Sequence, residues 1–195
     1  MTWLIVGLLA FLGIHSVSIV APAWRDSMVA RMGDGAWKGV YSVISIASFV
    51  LLIWGYGLAR MDPTVLYTPP PWTRWLTAIL MLPVFPLLLA PYVPGRIKAT
   101  LKHPMLVAVK FWALAHLLSN GTLADIVLFG GFLVWAVADR ISFKRRIQRP
   151  IPGAPPARFN DVIAIVLGLV LYFVFMRWLH VLWIGVSPAP LGMTA

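Results

Sequence analysis

Long apolar stretches separated by short polar or proline-rich segments dominate the chain. A helix that crosses a bilayer needs about 20 mostly apolar residues, and six stretches reach or approach that length. They cover residues 3–24, 36–59, 72–93, 104–119, 122–138 and 161–184. The first lacks a basic leader and a convincing small-residue cleavage site, so we expect it to stay in the protein. The pattern predicts an all-α polytopic membrane helix bundle of about six transmembrane helices, formed as one domain over residues 1–195.

Local signals locate the ends of the fourth and fifth predicted helices. Pro104 suits the first position of a helix, with His103 at its entry. The sequence SNG at residues 119–121 is a typical helix stop. Thr122 and Asp125 have the spacing of a capping box, which predicts a tight antiparallel hairpin of these two helices.

Prolines mark two further features of the chain. Pro83, Pro86 and Pro91 lie in the third apolar stretch, and each removes a backbone donor, so we expect this helix to be kinked. The segment RPIPGAPPAR, residues 149–158, predicts a stiff linker before the last helix.

Lys and Arg are distributed unevenly between the connections. Only Arg60 and Arg74 lie on the side of the even-numbered connections, and Lys110 and Arg177 lie within predicted helices. By the positive-inside rule, the basic odd-numbered connections are cytoplasmic and both termini are outside. We therefore expect a multi-pass membrane protein. The other twelve basic residues all lie in the odd connections: Arg25, Arg31, Lys38, Arg96, Lys98, Lys102, Arg140, Lys144, Arg145, Arg146, Arg149 and Arg158.

Composition agrees with this class and limits the chemistry. Hydrophobic residues make up 61% of the chain, charged residues 11%, and the mean hydropathy is +0.87. The net charge of +10 is explained by topology and by contact with anionic membrane lipid, so no nucleic-acid partner is expected. The chain has no Cys, which excludes disulfides, iron–sulfur clusters and thiolate haem ligation.

Two histidines lie within apolar stretches, where an ionisable side chain is costly and usually functional. At 1.5 Å per residue, His15 lies about 15 Å and His116 about 18 Å from the cytoplasmic ends of their helices. We therefore expect similar depths, at which both rings can face one metal ion. The alternative is that each histidine only hydrogen-bonds a neighbouring helix.

Several nearby residues complete the candidate site. Trp112 precedes His116 by one helical turn and offers an aromatic wall. Lys110 shares a helix face with His103; it either reaches the inner interface or pairs with a haem propionate. His103 is more typical of a helix cap or an interfacial residue than of a ligand. We expect Arg177 and His180 to lie at the outer interface.

The ligand chemistry favours haem b as the cofactor. All six acidic residues are Asp, and all are predicted at loops or helix ends, so the carboxylates of a zinc or non-haem iron site are missing at mid-membrane depth. A bis-histidine haem needs two histidines, an apolar slot and cations near its propionates.

The segment KHPMLVAVKFWALAHLLSNGTLADIVLFGGFLVWAVADR resembles the signature of the NnrU family of bacterial membrane proteins, and the resemblance extends from the GIHS segment at residues 13–16 to the last helix. The resemblance implies a link to denitrification and nitric oxide metabolism, and homology to 15-cis-zeta-carotene isomerase, a haem b enzyme. It also implies that His15 and His116 match that enzyme's haem ligands, and that His103 matches its HP-motif histidine. The enzyme's cysteine, three residues before the second ligand, is replaced here by Ala113.

Three functions follow as alternatives. The first is a haem protein of nitrogen-oxide metabolism that senses, transfers electrons to or helps to assemble a reductase. The second is a haem-dependent isomerase or redox enzyme acting on an apolar polyene in the groove between the first and fourth predicted helices. The third is a transporter without haem, for which the kinked third helix is the supporting feature.

Overall fold

The chain is helical throughout the part that its computed structural model describes, residues 1–149 and 151–188, and no strand is formed there beyond an isolated bridge between Val65 and Thr122. We number the helices along the chain. They are α1 (Thr2–Val20), α2 (Pro22–Met32), α3 (Asp34–Ala59), α4 (Thr73–Met81), α5 (Val84–Leu89), α6 (Arg96–Leu101), α7 (Pro104–Ser119), α8 (Leu123–Ser142) and α9 (Asn160–Ile184).

Three of these helices are long and apolar enough to cross a membrane: α1, α3 and α9. The segment Thr73–Leu89, which holds α4 and α5, and helix α7 are apolar but shorter. Helix α8 has 20 residues but carries Asp125, Asp139 and Arg140 near its ends. The all-α class with membrane-compatible helices is therefore confirmed, while the number of six crossings stays a prediction.

Prolines divide two of the predicted helices. Helix α1 ends at Val20, and Pro22 starts α2, so the predicted helix over residues 3–24 is interrupted at Ala21. The third stretch is kinked as predicted, since α4 ends at Met81 and α5 starts after Pro83. Helix α9 contains a π-helical turn at Phe175–Leu179, which the sequence had not suggested.

The predicted hairpin of α7 and α8 is confirmed. Pro104 is the first residue of α7 and His103 is its N-cap residue. Thr122 caps α8: its hydroxyl accepts the backbone N–H of Asp125 at 3.3 Å, and the Asp125 carboxylate accepts the backbone N–H of Thr122 at 2.9 Å. Because two otherwise unpaired N–H groups are satisfied, the turn between the helices is fixed.

Helices α1 and α3 lie unusually close together. A Cβ atom on Gly7 would be 2.6 Å from the backbone nitrogen of Leu52, and one on Gly55 would be 2.5 Å from that of Leu4. Small residues allow such backbone contact between apolar helices. Leu4, Leu8 and Leu52 then join Ala113 and residues of α8 in the main apolar core, so α1, α3, α7 and α8 form one bundle.

The odd connections meet at one end of this bundle. The Arg149 guanidinium lies 2.5 Å from the Asp26 carboxylate, and with Arg25 it lowers the pKa of that carboxyl. The proline-rich linker is held in place, because the backbone N–H of Ala154 donates to the carbonyl of Tyr92. Pro150, within the predicted linker, lies outside the described residues.

The second and fourth connections meet at the opposite end of the bundle. The backbone N–H of Leu123 donates to the Thr64 carbonyl at 2.8 Å, and Leu66 donates to Gly121 at 2.8 Å. The Arg60 guanidinium donates to the carbonyl of Ile184, at the end of α9. This separation of odd from even connections is the arrangement that the basic residues predicted.

Candidate functional site

His15 lies in the C-terminal half of α1 and faces aromatic side chains of two other helices. Its Nδ1 atom is 2.7 Å from the carbonyl oxygen of Phe11, one turn earlier. Its ring is 4.2 Å from the Phe11 ring between centroids, and it makes edge contacts with Tyr41 of α3 and Trp135 of α8. The imidazole is half-buried in this aromatic pocket.

His116 has a matching arrangement on α7. Its Nδ1 atom is 2.8 Å from the carbonyl oxygen of Trp112, again one turn earlier. The Phe129 ring of α8 stacks on the imidazole at 4.6 Å, with 24° between the planes, and the Trp112 ring lies 5.4 Å away. The contact between Trp112 and His116 that the sequence predicted is therefore present.

These backbone bonds fix the protonation of the two rings. A carbonyl oxygen only accepts, so Nδ1 carries the proton in each ring, and in the neutral ring Nε2 keeps its lone pair. Over residues 1–149 and 151–188, the Nε2 atoms of His15 and His116 have no hydrogen-bond partner. A metal-binding histidine commonly has this form, with its second nitrogen donating to a backbone carbonyl.

Both histidines contact one side of helix α8. His15 contacts Trp135 and His116 contacts Phe129, and these positions are about 9 Å apart along the helix at 1.5 Å per residue. A series of ring contacts connects the histidines through Phe11, Phe132 and Trp112. No direct ring contact joins His15 to His116 in the described chain, so a metal shared between them stays a prediction.

The other predicted residues lie in different surroundings. His103 stacks on Phe143 at 4.0 Å, next to Lys102, whose φ of 61° marks a strained turn before α7. Burial and the charge of Arg140 lower the pKa of His103. Lys110 is half-buried on α7 and forms no ion pair with any residue of the described segments. Ala113 is fully buried in the core.

A buried carboxylate, which sequence reasoning left out of the site, lies near His15. Asp139 of α8 forms an ion pair with Arg146 and lies one helical turn after Trp135, whose ring contacts His15. The Arg146 guanidinium also covers the Phe143 ring at 4.0 Å. Asp139 thus joins the His15 surroundings to the end of the bundle where the odd connections meet.

Two buried hydrogen-bond donors near this carboxylate have no acceptor among the residues described: Nε1 of Trp135 and Nε of Arg146. Both groups only donate, so each lacks a hydrogen-bond acceptor. Buried donors of this kind are rare in proteins and commonly pair with water, an ion or a ligand.

The residues that sequence reasoning missed share a helix face. Phe129, Phe132, Trp135 and Asp139 follow one another at three- or four-residue steps on α8, which places them on one side. That spacing is visible in the sequence and could have identified this face of α8, although not the helix face against which it packs.

His180 lies on α9, outside the bundle of α1, α3, α7 and α8, and its Nδ1 atom bonds the Val186 carbonyl at 2.6 Å. The Asp125 carboxylate, near the start of α8, is occupied by the Thr122 cap and by the Tyr56 hydroxyl at 2.5 Å. These polar groups mark the end where the even connections meet.

Residues 1–149 and 151–188 contain no group of three or more His, Cys, Asp or Glu side chains that could hold a metal ion. The site instead offers two imidazole nitrogens, stacked aromatic rings and unpaired donors near one end.

Comparison with known proteins gives one family match. A family model described as NnrU protein matches residues 3–188, nearly the whole chain. No curated protein and no solved structure matches the chain.

Proposed function

The chain belongs to the NnrU family, and we propose that it is an integral protein of the bacterial inner membrane that binds haem b. The observation that carries the proposal is the shared state of His15 and His116. Each donates Nδ1–H to a carbonyl four residues earlier and leaves Nε2 free to bind iron. Two such histidines, on α1 and α7 and against one side of α8, would form the donor set that a bis-histidine haem requires.

The surroundings of the histidines also suit a haem. Phe11, Phe129 and Trp112 provide flat apolar surfaces beside the imidazoles. A haem also brings two propionates, which need donors or cations. Lys110 and the unpaired Nε of Arg146 are the candidates for that role.

When bound, the haem would supply a one-electron redox centre. The protein would hold the imidazoles in one tautomer and exclude water with its aromatic side chains. We propose that the protein acts in nitric oxide or denitrification metabolism, by sensing or by serving a reductase as electron donor or assembly factor.

Isomerisation of an apolar polyene is the less supported alternative. The position that would need a cysteine is Ala113, whose side chain is fully buried against the core of α1, α3 and α8. In addition, α8 contacts both α1 and α7, where the expected groove for the substrate would lie. Conversion of a cis-carotene by the reconstituted protein would support this alternative over the first.

The test is the absorption spectrum of detergent-purified protein from haem-replete cells. We expect a reduced-minus-oxidised difference spectrum typical of b-type haem. The bands should be lost or shifted in His15→Ala and in His116→Ala, because each removes a free Nε2. His180→Ala is the matched control, since its Nδ1 bonds a carbonyl outside the α1–α7–α8 site, and it should keep the spectrum.

Two results would contradict the proposal. Colourless wild-type protein at full folded yield would exclude haem as the resident cofactor and would favour the transporter. An unchanged spectrum in both single variants would show that the haem is bound elsewhere. A band that shifts in one variant only would assign iron ligation to that histidine alone.

A further inference from the structure

Two cavities lie side by side where α5, α6 and α9 meet, away from both histidines. One is an apolar groove of about 610 Å³ and the other a basic pocket of about 540 Å³. Both volumes fall in the range of small-molecule sites. Arg96, at the start of α6, lines both cavities, so the apolar groove continues into the basic pocket.

The groove is formed by aliphatic side chains from separate helices. Helix α5 contributes Pro86 and Leu87, and α9 contributes Ile165 and Leu169. Gly168 shapes this contact, because a side chain at that position would clash with Pro86. Beside this contact lies an open apolar groove, and Arg96 is one of the residues that line it.

The pocket next to it carries excess positive charge. Arg96, Lys98 and Arg158 line it together with one carboxylate, that of Asp161. Asp161 already accepts the backbone N–H groups of Arg96 at 2.8 Å and Ile97 at 3.0 Å. Neither the Arg96 nor the Arg158 guanidinium forms an ion pair within residues 1–149 and 151–188. The pocket therefore offers two unpaired guanidinium groups.

From this juxtaposition we infer a binding site for an anionic phospholipid, with an acyl chain in the groove and the phosphate in the basic pocket. Charge complementarity determines the class of lipid, because guanidinium groups bind phosphate oxygens well and a net negative headgroup matches the excess charge. The location agrees, since the site lies where the odd connections meet, the predicted cytoplasmic surface. Basic pockets between helices on that side bind anionic headgroups in other membrane proteins.

The test is native mass spectrometry of the full chain released from detergent with added lipid. Phosphatidylglycerol and phosphatidylcholine of identical acyl chains serve as probes. We expect phosphatidylglycerol to remain bound at lower concentration. The double variant Arg96→Ala/Arg158→Ala should weaken that binding about fivefold for each charge removed.

Further variants distinguish lipid binding at this site from a general attraction of the basic protein to anionic lipid. Arg74→Ala removes one charge from an exposed position at the other end of the bundle and should leave phosphatidylglycerol binding unchanged. Ile165→Trp should weaken binding of the lipid by filling the groove, while leaving the basic pocket intact. Thermal unfolding of each variant shows whether it is folded.

The inference is overturned by equal retention of the two lipids, by an Arg74→Ala effect equal to that of the double variant, or by glycerol phosphate competing as well as intact phosphatidylglycerol. The last result would mean that the pocket binds a free anion and that the groove has no part in it. None of these outcomes depends on haem, so the inference and the proposed function are tested separately.

Discussion

At the scale of single residues, the Tyr56 hydroxyl forms a bond that joins α3 to the α7–α8 hairpin. It donates to the Asp125 carboxylate, which is 4% exposed. We expect Tyr56→Phe to lower the free energy of unfolding by about 1.5–3 kcal/mol, the usual value for a hydrogen bond to a charged group. The measurement is thermal unfolding in detergent.

The control for this change is Tyr92→Phe, which removes a hydroxyl from an exposed tyrosine. It should leave the unfolding temperature unchanged. Equal unfolding temperatures for wild type and Tyr56→Phe would show that the Tyr56–Asp125 bond contributes no net stability.

The histidines show how much of the site the sequence predicts at this scale. His15 and His116 are recognisable because an ionisable side chain in an apolar helix is costly. Trp112 is recognisable because it lies one turn from His116. Phe129 stacks on His116 only through tertiary packing of α8, so its contact is visible in the structure and not in the sequence.

At the scale of helices, the α1–α3 contact depends on glycine. Gly55 faces the backbone of Trp3 and Leu4, whereas Gly57 has open space where a Cβ would lie. Gly55→Ala should separate the helices and lower the unfolding temperature. Gly57→Ala, two residues along the same helix, should maintain or raise it, because alanine favours the helix by about 1 kcal/mol.

Both variants replace glycine by alanine in the same helix, so the effect of helix propensity cancels when their unfolding temperatures are compared. Similar unfolding temperatures for Gly55→Ala and Gly57→Ala would mean that the close α1–α3 approach does not limit stability.

Helix boundaries were predicted best where local chemistry determines them. Helix α7 spans Pro104–Ser119 as expected, because proline starts it and the Thr122 cap follows its end. Helix α1 ends earlier than expected, at Val20. Hydropathy alone continues through Pro22, and only the backbone shows that Pro22 starts a separate helix.

At the scale of the whole molecule, the contacts and the charges support the same topology. Asp26 of the first connection pairs with Arg149 of the fifth, and Asp161 binds the backbone of the third. The second and fourth connections pair at the other end through Thr64 and Leu123. One segment, Thr73–Leu89, is apolar but short for a membrane crossing.

Single-cysteine labelling tests whether the segment Thr73–Leu89 crosses the membrane. Because the chain has no native cysteine, each variant carries a single reactive thiol. Arg74 and Ala99 are exposed residues on either side of α4 and α5. We expect Arg74→Cys to react with a membrane-impermeant maleimide in intact spheroplasts, and Ala99→Cys to react only after permeabilisation. Lys38→Cys, near the start of α3 and next to the first connection, should behave like Ala99→Cys. Labelling of Arg74→Cys and Ala99→Cys from the same side would mean that the kinked segment enters and leaves the membrane on one face. The predicted six crossings would then become five, and the two ends of the chain would lie on opposite sides of the membrane.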